Sequence, residues 1–200
     1  MWYWVPALLV LWDYFKTPID RLYFQNPWRP LLGMQNTIRD ILSCGYEYKP
    51  RDFPGLFLVR LHFNAIRDEF TTHMKQCTRY YFHDVDPWAD KNPHYYFYKV
   101  KDFPKLYSLI KQIPCVHEPT AIFAVMDGPT QLPPHRAESN ALLRYHITIE
   151  GGEDSTLYTE KGSHTHKEGE DFIFDHSRYH ELQKYGTNRR VVLILDINRS

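Results

Sequence analysis

The apolar positions of this chain follow two different periods, and the change falls near Thr120. Upstream, residues 56–75 carry Val59, Phe63, Ile66 and Phe70 at helical spacing, with Arg60, Arg67, Asp68 and Glu69 largely outside that stripe. Such a pattern predicts an amphipathic helix whose apolar side covers a sheet. A shorter helix is expected over residues 35–43, where Ile38, Ile41 and Leu42 share a face and Gly45 stops it. Another starts at Asp102-Phe103-Pro104, because the missing N–H of Pro104 costs nothing at an early helical position. Leu106, Leu109, Ile110 and Ile113 form its buried face, and Pro114 ends it. The rest of residues 13–55 is punctuated by proline and glycine and reads as an extended, wrapping lead-in.

Downstream of Thr120 the period shortens to two. Strands are expected over residues 121–126, 142–149, 156–159, 171–174 and 191–197, separated by turns at Asp127-Gly128-Pro129, Gly151-Gly152 and Glu168-Gly169-Glu170. The fold class that follows is α+β with a mainly β core: a double-stranded β-helix, that is a jelly-roll or cupin-like barrel, buttressed by N-terminal helices. One domain is expected over residues 1–200, with a helical, aromatic-rich half (1–118) packed on the β core (119–200). Between the halves, residues 80–98 hold eight aromatic side chains among Asp-Pro and Asn-Pro turns. They read as a hairpin tucked under its own aromatics, with a substrate-facing lid as the alternative.

Composition narrows the class. The 24 basic and 24 acidic residues cancel, so no basic footprint for nucleic acid is present. Three cysteines (Cys44, Cys77, Cys115), widely spaced, give neither a disulfide framework nor a zinc motif and fit a reducing compartment. Residues 1–12 carry no charged side chain and include Trp2, Tyr3, Trp4 and Trp12, yet Asp13 interrupts them before the roughly 20 apolar residues of a spanning helix. They read either as a first element packed on the domain or as a shallow interfacial anchor, with aromatic rings at headgroup level. The location expected is intracellular, soluble or peripherally membrane-associated.

The candidate chemistry gathers between residues 132 and 196. His135 and His180 stand at strand ends 45 residues apart, and Arg190 follows ten residues later at the start of the last strand. Ferrous iron that activates oxygen takes imidazole and oxygen ligands and keeps positions open, usually with two His and one carboxylate. An inward-facing arginine supplies a planar fork that holds a carboxylate in two hydrogen bonds. Arg190 has that position, while Arg189 points to the opposite face. Arg144 and His146, two apart, share a face of their strand; the bland reading of Arg144 is an ion pair with Glu150 or Asp175. Two residues after His135, where a carboxylate ligand is usual, stands Ala137; water, Glu138, or a dead site are the alternatives. His164 and His166 read as decoration of an exposed hairpin, and His62, His73, His83, His94 and His117 are scattered.

Taken together, Pro134-His135, Asn140, Leu143-Arg144-Tyr145-His146, Gly169, Ile173-Phe174-Asp175, His180-Glu181, Arg190 and Asp196 resemble the aspartyl/asparaginyl β-hydroxylase family, which includes bacterial lipid A acyl-chain hydroxylases. The resemblance extends upstream through Lys111-Gln112-Ile113-Pro114 and Ala121-Ile122-Phe123-Ala124, and covers the first half only loosely. It implies hydroxylation dependent on Fe(II), 2-oxoglutarate and O₂, with release of succinate and CO₂. It further implies His135 and His180 as iron ligands, Arg190 on the distal 2-oxoglutarate carboxylate, and Arg144 and His146 lining the cosubstrate site. The family's peptide hydroxylases also have a small residue where this chain has Ala137, whereas its lipid hydroxylases have aspartate. Ala124, conversely, stands where the peptide branch has serine and matches the lipid branch. The expected substrate is the β-carbon of Asp or Asn in a polypeptide; the alternative is an acyl-chain lipid at a membrane, contacted through residues 1–12. A rival of another class is a catalytically silent cupin-like binding protein.

Overall fold

Residues 3–15, 28–42, 47–82, 92–137 and 139–199 are described in the computed structural model. Two helices come first, α1 (Val5–Phe15) and α2 (Arg29–Leu42), packed against each other. α2 starts six residues before the expected helix, and Ile38, Ile41 and Leu42 share an exposed face. Gly45, expected to stop this helix, lies outside the described residues, as does Cys44.

The stripe over residues 56–75 forms two helices, α3 (Phe57–Leu61) and α4 (Phe63–His73), with His62 ending one and opening the other. Val59, Ile66 and Phe70 are buried as their spacing predicts. Glu69, expected on the solvent side, is buried too. Its two carboxylate oxygens accept the backbone N–H groups of Lys105 and Leu106, each at 2.8 Å. It thereby satisfies the free donors at the start of a later helix, whose own N-cap residue, Phe103, has no polar side chain to do so.

The strands β1 (Tyr80–Tyr81) and β2 (Tyr95–Lys99) pair with each other, as the hairpin reading of this stretch requires. Residues 83–91 between them, where Trp88 and His83 fall, lie outside the described residues. α5 (Pro104–Ile110) follows, then the strands β3 (Ile122–Met126), β4 (Thr130–His135), β5 (Leu142–Glu150), β6 (Ser155–Thr159), β7 (Gly162–Thr165), β8 (Asp171–Phe174), β9 (His180–Lys184) and β10 (Arg190–Asn198). The order β1-β2-β3-β10-β5-β8 makes the large sheet, and β4-β9-β6-β7 the small one. Every pairing in both sheets is antiparallel. This is the double-stranded β-helix, with helices on the outer face of the large sheet.

Strand alternation divides the large sheet into two environments. On β5 and β10, Tyr145, Ile147, Val191, Leu193 and Leu195 face the helices and join one large core with Phe70, Phe103 and Phe123. Phe70 of α4 sits at its centre, with ring centroids 4.7 Å from Phe123 and 5.9 Å from Phe103. Burying a side chain of that size contributes about 1.5–3 kcal/mol. The alternate positions face the small sheet, where Met126, Leu157, Phe174 and Leu182 form a second, smaller core. Arg144, His146 and Arg190 also belong to this inner face, so the apolar layer behind them leaves polar chemistry only the inside of the barrel.

Candidate active site

The geometry of the site starts from two prolines. β4 is an edge strand of the small sheet, the one place where residues without a backbone N–H can sit in a ladder. Pro133 and Pro134 interrupt its pairing with β9 between Leu132 and His135, after which His135 lies directly opposite His180. The two imidazole rings are 4.3 Å apart, centroid to centroid. Each uses Nδ1 locally: His135 reaches the Pro133 carbonyl at 2.8 Å and His180 the Arg178 carbonyl at 2.9 Å. A carbonyl only accepts, so both Nδ1 atoms carry the proton, and the lone pair of each ring is left on Nε2.

Both rings are held neutral. Burial first, and then the neighbouring His135 ring, pushes His180 down to about 3. His135, open to solvent on one side, is also lowered, mainly by the protein packed around it. Two neutral imidazoles with free Nε2 lone pairs are in the state a metal ion requires. Among the described residues, no group of three or more His, Cys, Asp or Glu side chains is placed to hold a metal. Ala137 contributes only backbone, its N–H going to the His176 carbonyl at 2.8 Å. Glu138 lies outside the described residues.

Arg190 opens β10 opposite Met126 of β3, with 1% of its surface exposed. One guanidinium nitrogen, Nη2, lies 2.8 Å from Nε2 of His166, and Nη1 lies 3.2 Å from the Met126 sulfur. Nε is buried without a hydrogen-bond partner among the described residues, and no carboxylate there lies within ion-pair distance of Arg190. Burial is the main reason its pKa falls to about 10. Since a guanidinium can only donate, His166 accepts from it at Nε2 and carries its own proton on Nδ1, which faces the Ser155 carbonyl at 3.3 Å. His146, on the neighbouring strand, places Nδ1 3.4 Å from the same His166 Nε2, and its own Nε2 has no partner. Burial, followed by this cationic and imidazole company, keeps both histidines far below their usual range.

The tight turn at Gly151-Gly152 makes this packing possible. Gly151 has φ +60° and a Cβ there would stand 2.2 Å from the Arg189 carbonyl oxygen; Gly152 has φ +102° and its Cβ would meet His166 at 2.9 Å. Only glycine lets the turn lie against both Arg189 and His166. Arg189 faces away, as alternation predicts, in a two-point pair with Glu150 at 2.9 and 2.6 Å. Arg144 pairs neither with Glu150 nor with Asp175, the two acids expected, but with Asp196 directly across on β10, at 2.8 and 3.3 Å.

The structure thus brings His135, His180, Arg190, Arg144 and His146 into one pocket, whose other walls are Tyr95, Leu132, Leu157, Phe174, Leu182 and Ile194. Its free volume is ≈ 40 Å³, enough for a few waters. A larger hollow of ≈ 200 Å³ adjoins it beside His164, Phe172 and Arg178 and shares the Phe174 wall, but the five residues lie in the smaller one. His166 corrects the sequence reading: it is fully buried against Arg190 rather than exposed on a hairpin. The signal that could have found it was the double glycine, whose turn packs on His166 just past the end of β7.

The family model described as Aspartyl/Asparaginyl beta-hydroxylase matches residues 60–200. The chain is also 28% identical over 100 residues to an ornithine lipid ester-linked acyl 2-hydroxylase from Rhizobium tropici, a match covering 48% of this chain and 35% of that protein. It therefore spans about a third of that relative's length. Among solved structures it is similar to a sugar phosphate isomerase of the cupin superfamily from Silicibacter pomeroyi (9% identity, 63% of this chain and 74% of the other, TM-score 0.42). A second is KdgF from Halomonas sp. (14% identity, 60% and 95%, TM-score 0.37).

Proposed function

The chain belongs to the aspartyl/asparaginyl β-hydroxylase family, and from that premise we propose that it is an Fe(II)- and 2-oxoglutarate-dependent dioxygenase that hydroxylates an unactivated carbon. The observation that carries this reading is the buried Arg190, a guanidinium without a carboxylate partner, in one pocket with two histidines whose Nε2 lone pairs are free. The residues present fit the group. Among the described residues, Nε of Arg190 and Nε2 of His146 are buried without partners, as polar atoms are when a ligand is their partner.

In this reading His135 and His180 hold the iron through Nε2, with Nδ1 of each tied to a backbone carbonyl that fixes the ring. Arg190 takes the distal carboxylate of 2-oxoglutarate; His166 steadies its guanidinium by accepting from Nη2, leaving Nε free to donate. His146 and Arg144 line the path between them. Iron, when bound, supplies the redox chemistry by which one atom of O₂ enters succinate, the other enters a C–H bond of the substrate, and CO₂ leaves. The apolar wall of Leu132, Leu157, Phe174 and Leu182 excludes water from that chemistry. The absence of a carboxylate at Ala137 leaves a two-histidine site, as in the peptide-hydroxylating branch.

For the substrate, the apolar pocket wall and the similarity to an acyl 2-hydroxylase favour an acyl chain. Peptidyl Asp or Asn is the second reading, favoured by Ala137. The test is anaerobic titration of Fe(II) into the protein with 2-oxoglutarate, read by the visible charge-transfer band of bidentate keto-acid coordination. A band saturating near one equivalent and lost in both His135→Ala and His180→Ala is expected. Well-folded wild-type protein without a band would overturn the reading and leave a cupin-like binding protein.

A further inference from the structure

The hairpin of α1 and α2 has its polarity reversed. Asp13 and Arg29 are almost completely buried, 3.3 Å apart, and Asn36 and Thr37 are buried as well. Outward point Trp4 just before α1, Leu8 and Trp12 of α1, and Ile38, Ile41 and Leu42 of α2, with Trp4 75% and Leu42 82% exposed. Across residues 3–12 no side chain is charged. A helix facing water puts its charges outward and its apolar stripe inward, as α4 does apart from the buried Glu69 that caps α5. An apolar exterior around buried ion pairs is instead the arrangement of a helix whose outer neighbour is hydrocarbon.

The lengths decide how such a neighbour is met. At ~1.5 Å per residue, α1 and α2 extend roughly 16 and 21 Å, short of the ~30 Å hydrocarbon core. No helix among the described residues is long and apolar enough to cross a membrane. A short hairpin with tryptophans and, among its described residues, no outward charge suits the boundary between headgroups and acyl chains.

Its inner side reaches both histidine loops. Arg136, next to His135, lies 3.7 Å from Asp13. Arg178, two residues before His180, lies 3.6 Å from Asp40 of α2. Between them Asn140 donates from its backbone N–H to the Asn36 side chain at 3.0 Å and from its amide to the Asn36 carbonyl at 2.9 Å.

From this inversion and these ties we infer that the α1–α2 hairpin docks on the surface of a lipid bilayer and holds the two-histidine pocket beside it. The inference rests on the proposed hydroxylase reading and deepens it: the substrate is then an acyl chain of a membrane lipid. Because the outward face of the described residues of α1 and α2 is neutral, docking is driven by apolar burial and not by anionic headgroups.

The test uses the full chain and phosphatidylcholine vesicles. Wild-type protein co-sediments with them, and raising salt from about 0.1 to about 0.5 M leaves the bound fraction unchanged. The double variant Leu8→Lys/Trp12→Lys, altered only at exposed positions, partitions at least about tenfold less. Leu61→Lys, at an exposed residue of α3 outside the hairpin, partitions as wild type does. Wild-type protein that fails to co-sediment, or equal binding by the double variant, overturns the inference. So does a dimer in lipid-free buffer that the double variant converts to monomer, since a second copy would then cover the face. The Fe(II)/2-oxoglutarate band, read in the same samples, separates the two failures: a band without vesicle binding defeats the docking alone, and vesicle binding without a band defeats the enzyme reading alone.

Discussion

The hairpin and the barrel both turn charged side chains inward, and they treat them differently. In the hairpin each inward charge has an opposite one: Asp13 with Arg29 and Arg136, Asp40 with Arg178. On the inner face of the barrel, Arg144 is closed in the same way by Asp196. Arg190 is not closed. Its neighbours are an imidazole and a thioether, and its depressed pKa, caused mainly by burial, means that folding works against its charge. A closed pair is accounted for by the fold alone, whereas an open buried cation is a cost that a ligand must justify. That difference separates the structural charges of this protein from the one we propose to be functional.

The largest effect is expected from opening a closed network. Asp13→Ala leaves the buried Arg29 and the nearby Arg136 without that carboxylate, and breaking a buried pair costs about 3–5 kcal/mol. The expected outcome is loss of hydrogen-exchange protection in α1 and α2 while β5 and β10 keep theirs. Unchanged protection in the hairpin would show that the pair does not hold it. Arg190→Met is expected to act with the opposite sign. Replacing an open buried cation by an apolar side chain of similar length removes the cost of holding that charge out of water. The ligand-free variant should therefore unfold at an equal or higher denaturant concentration than wild type, and added 2-oxoglutarate with Fe(II) should no longer raise its midpoint. A variant that is clearly destabilised without ligand would place Arg190 among the structural charges.

How much of this was legible in the sequence depends on what kind of contact decides each residue. Alternation along β5 and β10 is local, so Arg190, Arg144 and His146 could be assigned one face and Arg189 the other from spacing alone. The stripe of α3 and α4 was legible for the same reason, since Val59, Ile66 and Phe70 recur at helical spacing. Partners set by strand order were not legible: Asp196 meets Arg144 only because β10 runs beside β5, 52 residues away. Glu69 was misassigned because its role, capping α5, depends on a helix 36 residues downstream. β4 and β9 were legible only as the strand ends marked by His135 and His180, without ranges of their own, and in β4 the two prolines normally argue against a strand. That Ile38, Ile41 and Leu42 share a face was legible, but not that the face points outward, because an apolar stripe gives a face and not which side of it is protein.

The smallest effect concerns a closed network at the barrel rim that adjoins the hairpin's. Asp175 accepts from the Ser177 hydroxyl at 2.6 Å and pairs with Arg199, while Arg178, which reaches Asp40 of α2, stands 3.7 Å away. Burial alone would raise the Asp175 pKa, but the Ser177 hydrogen bonds and the Arg199 guanidinium outweigh it and hold the carboxyl below its usual range. A carboxylate whose pKa is lower folded than unfolded contributes stability in full above the unfolded value of about 3.9. It loses that contribution as pH falls through the folded value. Asp175→Asn removes the charge at every pH, so the variant should trail wild type in denaturant midpoint at neutral pH, and the gap should narrow progressively below about pH 4. A gap that stays constant down to acid unfolding would mean that Asp175 contributes through shape and neutral hydrogen bonds only. Its network would then be closed in geometry but not in charge, and the contrast with Arg190 would rest on the hairpin pairs and Arg144–Asp196 alone.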